Sequence, residues 1–299
     1  TNIDQRDSST INASDPSARV NLNGPTGVAV GNLLVSNSNI TSGGAVNFQN
    51  STLGRAGSPT VVNVTAHDII FGTDAKTRVL GSQANVKLDA TNTLTMFEGS
   101  RLGVTAGQSN VTVTAGTLQM RNNTLIQDDG VGNYSITGGD LRMDPGSTIN
   151  ASNPASRINM DATTYLEVSS LQVPTIQLNS SGNLGLRGGT LGQAGVATSF
   201  QGNATGAAFL FTNSILAVEG SPVNFQLSAG QDLTLGNANS TVDFRGTSNN
   251  VSLFAVNNNV FAPNSTLTAS GPTRLQISAG NRAVLNNATL SVPDSTSNT

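Results

Sequence analysis

The chain has no cysteine and no tryptophan, a single histidine, and charged residues at only 10% of its 299 positions. Without cysteine, neither a disulfide framework nor a thiolate zinc site can form. With a net charge of -3 and a pI near 5.0, the chain lacks the basic surface that nucleic-acid binding requires. No run of 18 apolar residues occurs, so no segment is expected to cross a membrane as a helix. Ala, Glu, Lys and Leu are too sparse for long helices, and no stretch keeps a 3.6-residue period for three turns. Disorder is not implied either, because 36% of the residues are hydrophobic and the net charge is small.

What is abundant is small and polar. The sequence holds 36 Asn, 32 Gly and 68 Ser plus Thr. Between them, apolar residues alternate with polar ones over short runs, as at Val111 and Val113, Leu118 and Met120, Val223, Phe225 and Leu227, and Leu275 and Ile277. A period of two over four to six residues marks a half-buried strand, and Gly, Asn, Asp and Pro punctuate every run.

The chain also repeats itself. The segment Thr10-Ile11-Asn12-Ala13-Ser14 returns as Thr148-Ile149-Asn150-Ala151-Ser152, an offset of 138, and carries Arg19 onto Arg157. Ser51-Thr52-Leu53-Gly54 matches Gly189-Thr190-Leu191-Gly192 at the same offset, and Asn110-Val111-Thr112 matches Asn250-Val251-Ser252 at 140. Two tandem copies of about 140 residues follow, 1–147 and 148–299, with Thr289-Leu290 where a third would begin. Inside each copy, a small polar residue followed by an aliphatic one recurs, often at spacings of 19 to 26, as at Thr124-Leu125, Thr148-Ile149, Ser170-Leu171 and Thr190-Leu191.

These periods predict an all-β parallel β-helix, a β-solenoid of about 12–13 coils of about 23 residues. Three short strands per coil, each beside its successor about 4.8 Å away, make one continuous rod of roughly 60 Å. Asn and Gly suit the turns because both accept left-handed backbone angles, and stacked Asn side chains can hydrogen-bond from coil to coil. In period, alternation and turn composition the chain resembles right-handed parallel β-helices, the pectin-lyase-like enzymes and the filamentous-haemagglutinin type of surface solenoid; right-handedness is implied by that resemblance. An array of immunoglobulin-like sandwiches of about 140 residues is the competing architecture.

Asn-x-Ser/Thr sequons occur at Asn12, Asn39, Asn50, Asn63, Asn110, Asn122, Asn133, Asn150, Asn179, Asn203, Asn239, Asn250, Asn264 and Asn287. That is 14, where composition alone yields about eight, and Asn12/Asn150, Asn63/Asn203 and Asn110/Asn250 recur between copies. Covalent glycans at several of them are expected, as bulky outward groups that block sideways association. The alternative is that these Asn are turn and ladder residues.

Candidates for chemistry are few. Asp128-Asp129 is an adjacent pair before Gly130, Asp140 and Asp144 flank Arg142, His67-Asp68 holds the one imidazole, and Lys76 and Arg78 share a strand face. All are expected to be solvated turn or surface charges; no catalytic, cofactor or metal-ligating set is assigned. Arg19 and Arg157 are expected to cover apolar surface or bond turn carbonyls. The aromatics, with two Tyr and Phe in strand-like runs, make a strong sugar-stacking platform improbable.

The ends, Thr1 to Ser9 and Ser291 to Thr299, are polar, with no sign of the amphipathic helix that usually caps a solenoid. Position 1 is Thr, without a preceding leader, as for a processed chain or part of a longer one. The sequence therefore reads as a non-enzymatic extracellular or cell-surface structural protein, part of a fibre, filament or adhesin, whose partner is itself, head to tail or within a longer chain. A polysaccharide-degrading enzyme or phage-type depolymerase on the same fold is the alternative, recognisable by a groove with three or more convergent acids.

Overall fold

The structure is a computed structural model and describes residues 3–4, 9–13, 15, 17–151, 153–235 and 239–292. Most of the two polar end segments therefore lies outside the described residues. The chain is all β, with parallel strands stacked as a β-solenoid of about 12 turns of about 24 residues and no helix among the described residues. Its strand pairings are parallel, which excludes the antiparallel sandwich array. By its internal contacts the chain divides into two compact units, Thr1–Ile158 and Asn159–Thr299.

In the first unit, from Asn32–Leu34 onward, each coil pairs one short strand with one long strand; the coil before it has two wide-face strands, Arg19–Gly24 and Gly27–Val30. The short strands Leu33-centred Asn32–Leu34, Ser51–Gly54, Lys76–Leu80, Arg101–Thr105, Leu125–Asp128 and Thr148–Ala151 form a narrow face. The long strands Asn37–Phe48, Thr60–Phe71, Gln83–Met96, Gln108–Met120 and Val131–Met143 form a wide face that bends midway. The bend is a register irregularity, between Ala90 and Thr93 for example. At Gly116 in this corner a Cβ would lie 2.7 Å from the Asn92 carbonyl oxygen, so only glycine lets the next coil fit that closely. The expected three strands per coil are here two, the bend making one long strand serve two faces.

The second unit has the three-strand coil. Its wide face splits into pairs such as Thr198–Ala204 with Ala208–Leu210, Val223–Ala229 with Leu233–Thr234, and Asn249–Ala255 with Asn258–Phe261. Ile215–Gly220, Thr241–Gly246 and Thr266–Ala269 belong to its narrow face.

The interior is built from rows of like residues in register. In the first unit Val46, Ile69, Leu94, Leu118 and Leu141 are successive partners, and so are Phe48, Phe71, Met96, Met120 and Met143. All ten are at most 2% exposed. Phe48 stacks on Phe71 with ring centres 5.0 Å apart. In the second unit Phe200 stacks on Phe225 at 4.5 Å, and Phe244 reaches across from the narrow face to meet Phe225 edge-on at 5.3 Å. Coil spacing and ring stacking distance nearly coincide, so aromatic rows form without distorting the backbone.

The corner leading into the narrow face carries the left-handed residues. Asp74, Asn123, Asn213, Asn239, Asn264 and Asn287 have φ between 49° and 64°. A small hydroxyl residue follows, buried in the turn at Thr124, Ser240 and Ser265; Ser240 donates to the Phe211 carbonyl at 2.9 Å and Ser265 to that of Ala262 at 2.7 Å. Asn supplies the left-handed angle that β-branched residues resist, and the hydroxyl satisfies a turn carbonyl sealed from water.

The stacked aromatic row sets a stability test. Phe225→Ala removes a ring packed against two others and should lower unfolding stability by about 3–5 kcal/mol. Leu285→Ala, at a side chain 54% exposed, should shift the urea midpoint little. Equal shifts would contradict the burial described.

Candidate functional surface: asparagine columns and the last coil

The outward faces carry columns of Asn that bond to one another from coil to coil. On the first unit's wide face Asn63 Nδ2 donates to Asn39 Oδ1 at 2.9 Å and Asn39 Nδ2 to Asn21 Oδ1 at 3.0 Å. A second column there runs Asn133 to Asn110 at 3.2 Å and Asn110 to Asn85 at 2.9 Å. In the second unit Asn203 donates to Asn179 at 3.0 Å and Asn179 to Asp161 at 2.7 Å. The left-handed turn makes another column: Asn287 to Asn264 at 3.0 Å, Asn264 to Asn239 at 3.4 Å, Asn239 to Asn213 at 3.3 Å.

In every case the side-chain N–H points to the preceding coil and the carbonyl faces the following one. An amide is both donor and acceptor, so a repeated Asn satisfies its predecessor and presents the same group to its successor. The columns anticipated from composition are present.

Nine of the 14 sequon Asn are column members: Asn39, Asn63, Asn110, Asn133, Asn179, Asn203, Asn239, Asn264 and Asn287. The sequon pattern itself has two geometric sources. On strands, Asn-Val-Thr at 63–65 and 110–112 places Asn and Thr outward and Val inward. At the turn, Asn-Ser-Thr at 239–241 and 264–266 is the left-handed residue, the buried hydroxyl and the first strand residue. Asn12, Asn50, Asn122, Asn150 and Asn250 lie outside the columns; Asn50 Oδ1 accepts the Lys76 N–H at 3.1 Å.

The other sequence candidates are scattered. Asp140 and Arg142 form a surface pair, Arg142 Nη2 donating to Asp140 Oδ2 at 2.8 Å. Asp68 accepts from the Thr93 hydroxyl at 2.7 Å and from Asn92 at 3.0 Å, and the Thr93 bond chiefly holds its carboxyl below the ordinary range. His67 Nδ1 lies 3.3 Å from the Thr91 hydroxyl. Lys76 and Arg78 are exposed on one strand face, and Arg19 and Arg157 are exposed first residues of equivalent strands. A shallow cleft on the first unit brings Glu98, Arg121 and Asp144 beside Phe97, with the Arg121 guanidinium 4.9 Å from the Phe97 ring centre. Two carboxylates line it, fewer than the three-acid trench of the enzymatic alternative.

Two acids are buried, one of them, Asp128, against the expectation of a solvated charge. Asp129 is exposed, but Asp128 is an inward residue of Leu125–Asp128 and 1% exposed. Glu167, 3% exposed, is bonded by Arg187 and accepts from the Tyr165 hydroxyl at 3.0 Å, while Arg187 lies 4.3 Å from the Phe211 ring centre. Sequence reasoning missed this second cluster because its members come from separate coils; the only local signal is the Tyr165/Glu167 spacing of two, which places both on one strand face.

At the last described coil the interior rows come to the surface. Val251 and Leu253 are buried, whereas their partners Leu275 and Ile277 are half-buried. Phe261 is 3% exposed and its partner Leu285 is 54% exposed. No protein family model, curated protein or solved structure matches the chain.

The columns make a separable prediction. Asn110→Ala breaks two side-chain bonds in mid-column and should cost about 1 kcal/mol, whereas Asn250→Ala should stay within about 0.5 kcal/mol. Asn264→Gly keeps the left-handed turn and loses only the column. Urea midpoints that rank Asn250→Ala as the more damaging change would contradict the ladder.

Proposed function

We propose that the chain is a non-enzymatic structural protein of the extracellular space or cell surface, a β-solenoid building block of a fibre, filament or adhesin. In this reading the last coil is covered by a further coil, supplied by another copy of the chain stacked head to tail or by the continuation of a longer chain. The observation that carries the reading is the set of aliphatic rows that run into solvent at Leu275, Ile277 and Leu285. Exposed inward residues on an edge coil are what a further coil would bury, and the Asn287 carbonyl is positioned as the acceptor for one more column member. Thr289–Ser291 repeats the small-polar/aliphatic start of Thr10–Asn12, so the coil of Arg19–Gly24 and Gly27–Val30 offers a matching successor. A contact between two different surfaces propagates as an open filament unless its rotation closes a ring.

In the same reading glycans sit on sequons outside the columns, Asn122 and Asn250 foremost, since both are exposed. Neighbouring column members are one coil apart, about 4.8 Å, which leaves no room for two sugars side by side.

Sedimentation and electron microscopy of the protein from its native source test the assembly. Concentration-dependent end-to-end polymers are expected, and Ile277→Lys should abolish them while leaving the circular dichroism spectrum unchanged. A monodisperse monomer at high concentration would overturn the stacking. Intact mass tests the second part: a mass equal to the bare 30.5 kDa would remove the glycans from the reading without touching the assembly.

A further inference from the structure

Asp128 occupies a place in the first unit where an aliphatic residue belongs. Its row on the narrow face runs Val79, Val104, Asp128, Ala151, and the three neighbours are fully buried. Across the interior the wide strands bring two polar groups towards it. The Ser109 hydroxyl, itself 1% exposed, donates to Oδ2. Tyr134 is 2% exposed, and its hydroxyl has no hydrogen-bond partner. Gly132 makes the space: a Cβ there would lie 2.8 Å from both Asp128 Oδ2 and the Tyr134 ring. The Gly130 N–H donates to Oδ1 at 2.9 Å.

Among the described residues no cation compensates the carboxylate. The charged group beside it is Asp129, which adds like charge; the stacked partners Val104 and Ala151 carry none, and the facing titratable group is the Tyr134 phenol. Burial pushes the Asp128 carboxyl up to about 6, against the opposing effect of the Gly130 N–H, and burial likewise raises the phenol. A neutral carboxyl can donate as well as accept, which suits a site that already holds an unpartnered hydroxyl; an ionised one is a buried charge with acceptors only.

We propose that the Asp128–Ser109–Tyr134 cluster is a pH-responsive joint inside the first unit, tight when the carboxyl is neutral and loosened when it ionises. The direction follows from linkage. The folded protein holds this proton more firmly than the unfolded chain, so the stabilisation is complete below the ordinary carboxyl range and is lost as pH rises through about 6. Coils on either side of Leu125–Asp128 then open more readily in neutral than in acid solution, which would make assembly or shedding of such a chain sensitive to the acidity of its surroundings.

The test is the urea unfolding of the whole chain between pH 4 and pH 8, compared with Asp128→Asn. His67→Gln is introduced in both proteins so that the imidazole does not enter the profile. Relative to Asp128→Asn, the Asp128 protein should lose about a hundredfold in its folding equilibrium constant across this range. A protonated-carboxyl infrared band present at pH 5, gone by pH 8 and missing from Asp128→Asn gives an independent readout, should the variant fold poorly. Tyr134→Phe should keep the pH dependence. Parallel stability profiles, or a carboxyl already ionised at pH 5, would overturn the proposal.

Discussion

Parallel stacking in register places every residue against its counterpart one coil away, about 4.8 Å distant. The rest of the structure depends on this constraint. A side chain is stable in a row only if it tolerates a copy of itself at that distance. Aliphatic residues do, by burying surface; Phe does, by stacking; Asn does, by giving its N–H to one neighbour and its carbonyl to the other. A charge does not, because its copy repels it. The low charge content is consistent with the fold, and several of the charges that are present sit beside an opposite partner two residues along the strand, as in Asp140 with Arg142 and Asp243 with Arg245.

The same constraint explains why so much of the composition is Asn, Gly, Ser and Thr. One corner takes a left-handed residue, followed at Thr124, Ser240 and Ser265 by a buried hydroxyl; another brings a carbonyl so close to Gly116 that no side chain fits. Outward strand positions need polar groups that ladder. Sequons arise from the two registers where Asn precedes an inward residue and then Thr or Ser. A column Asn has a structural reason to be there, and modification is the separate reason that Asn122 or Asn250 would need.

Asp128 and Glu167 break the like-on-like rule, and each is handled differently. Glu167 has an opposite charge, a phenol and a nearby ring to compensate its burial. Asp128 has a hydroxyl, one backbone N–H and an orphan phenol, so its charge state is coupled to the packing around it. Local rules that fail in an otherwise consistent stack mark where the fold can respond to its surroundings.

Period and alternation were enough to determine the architecture. Thr124-Leu125, Thr148-Ile149 and Ser170-Leu171 each start a narrow strand or stand one residue before it, and the alternation at Val111 and Val113 assigns its inward face, because side-chain direction in a strand depends only on parity. Asn columns were legible for the same reason. Tertiary structure alone decided the remainder: that the first unit bends one long strand where the second uses two, that Asp128 rather than Asp129 enters the core, and that Tyr165, Glu167, Arg187 and Phe211 meet. Those outcomes depend on which residues of different coils face one another across a corner, and a sequence read along one dimension carries the order of its residues but not the angle at which each coil turns.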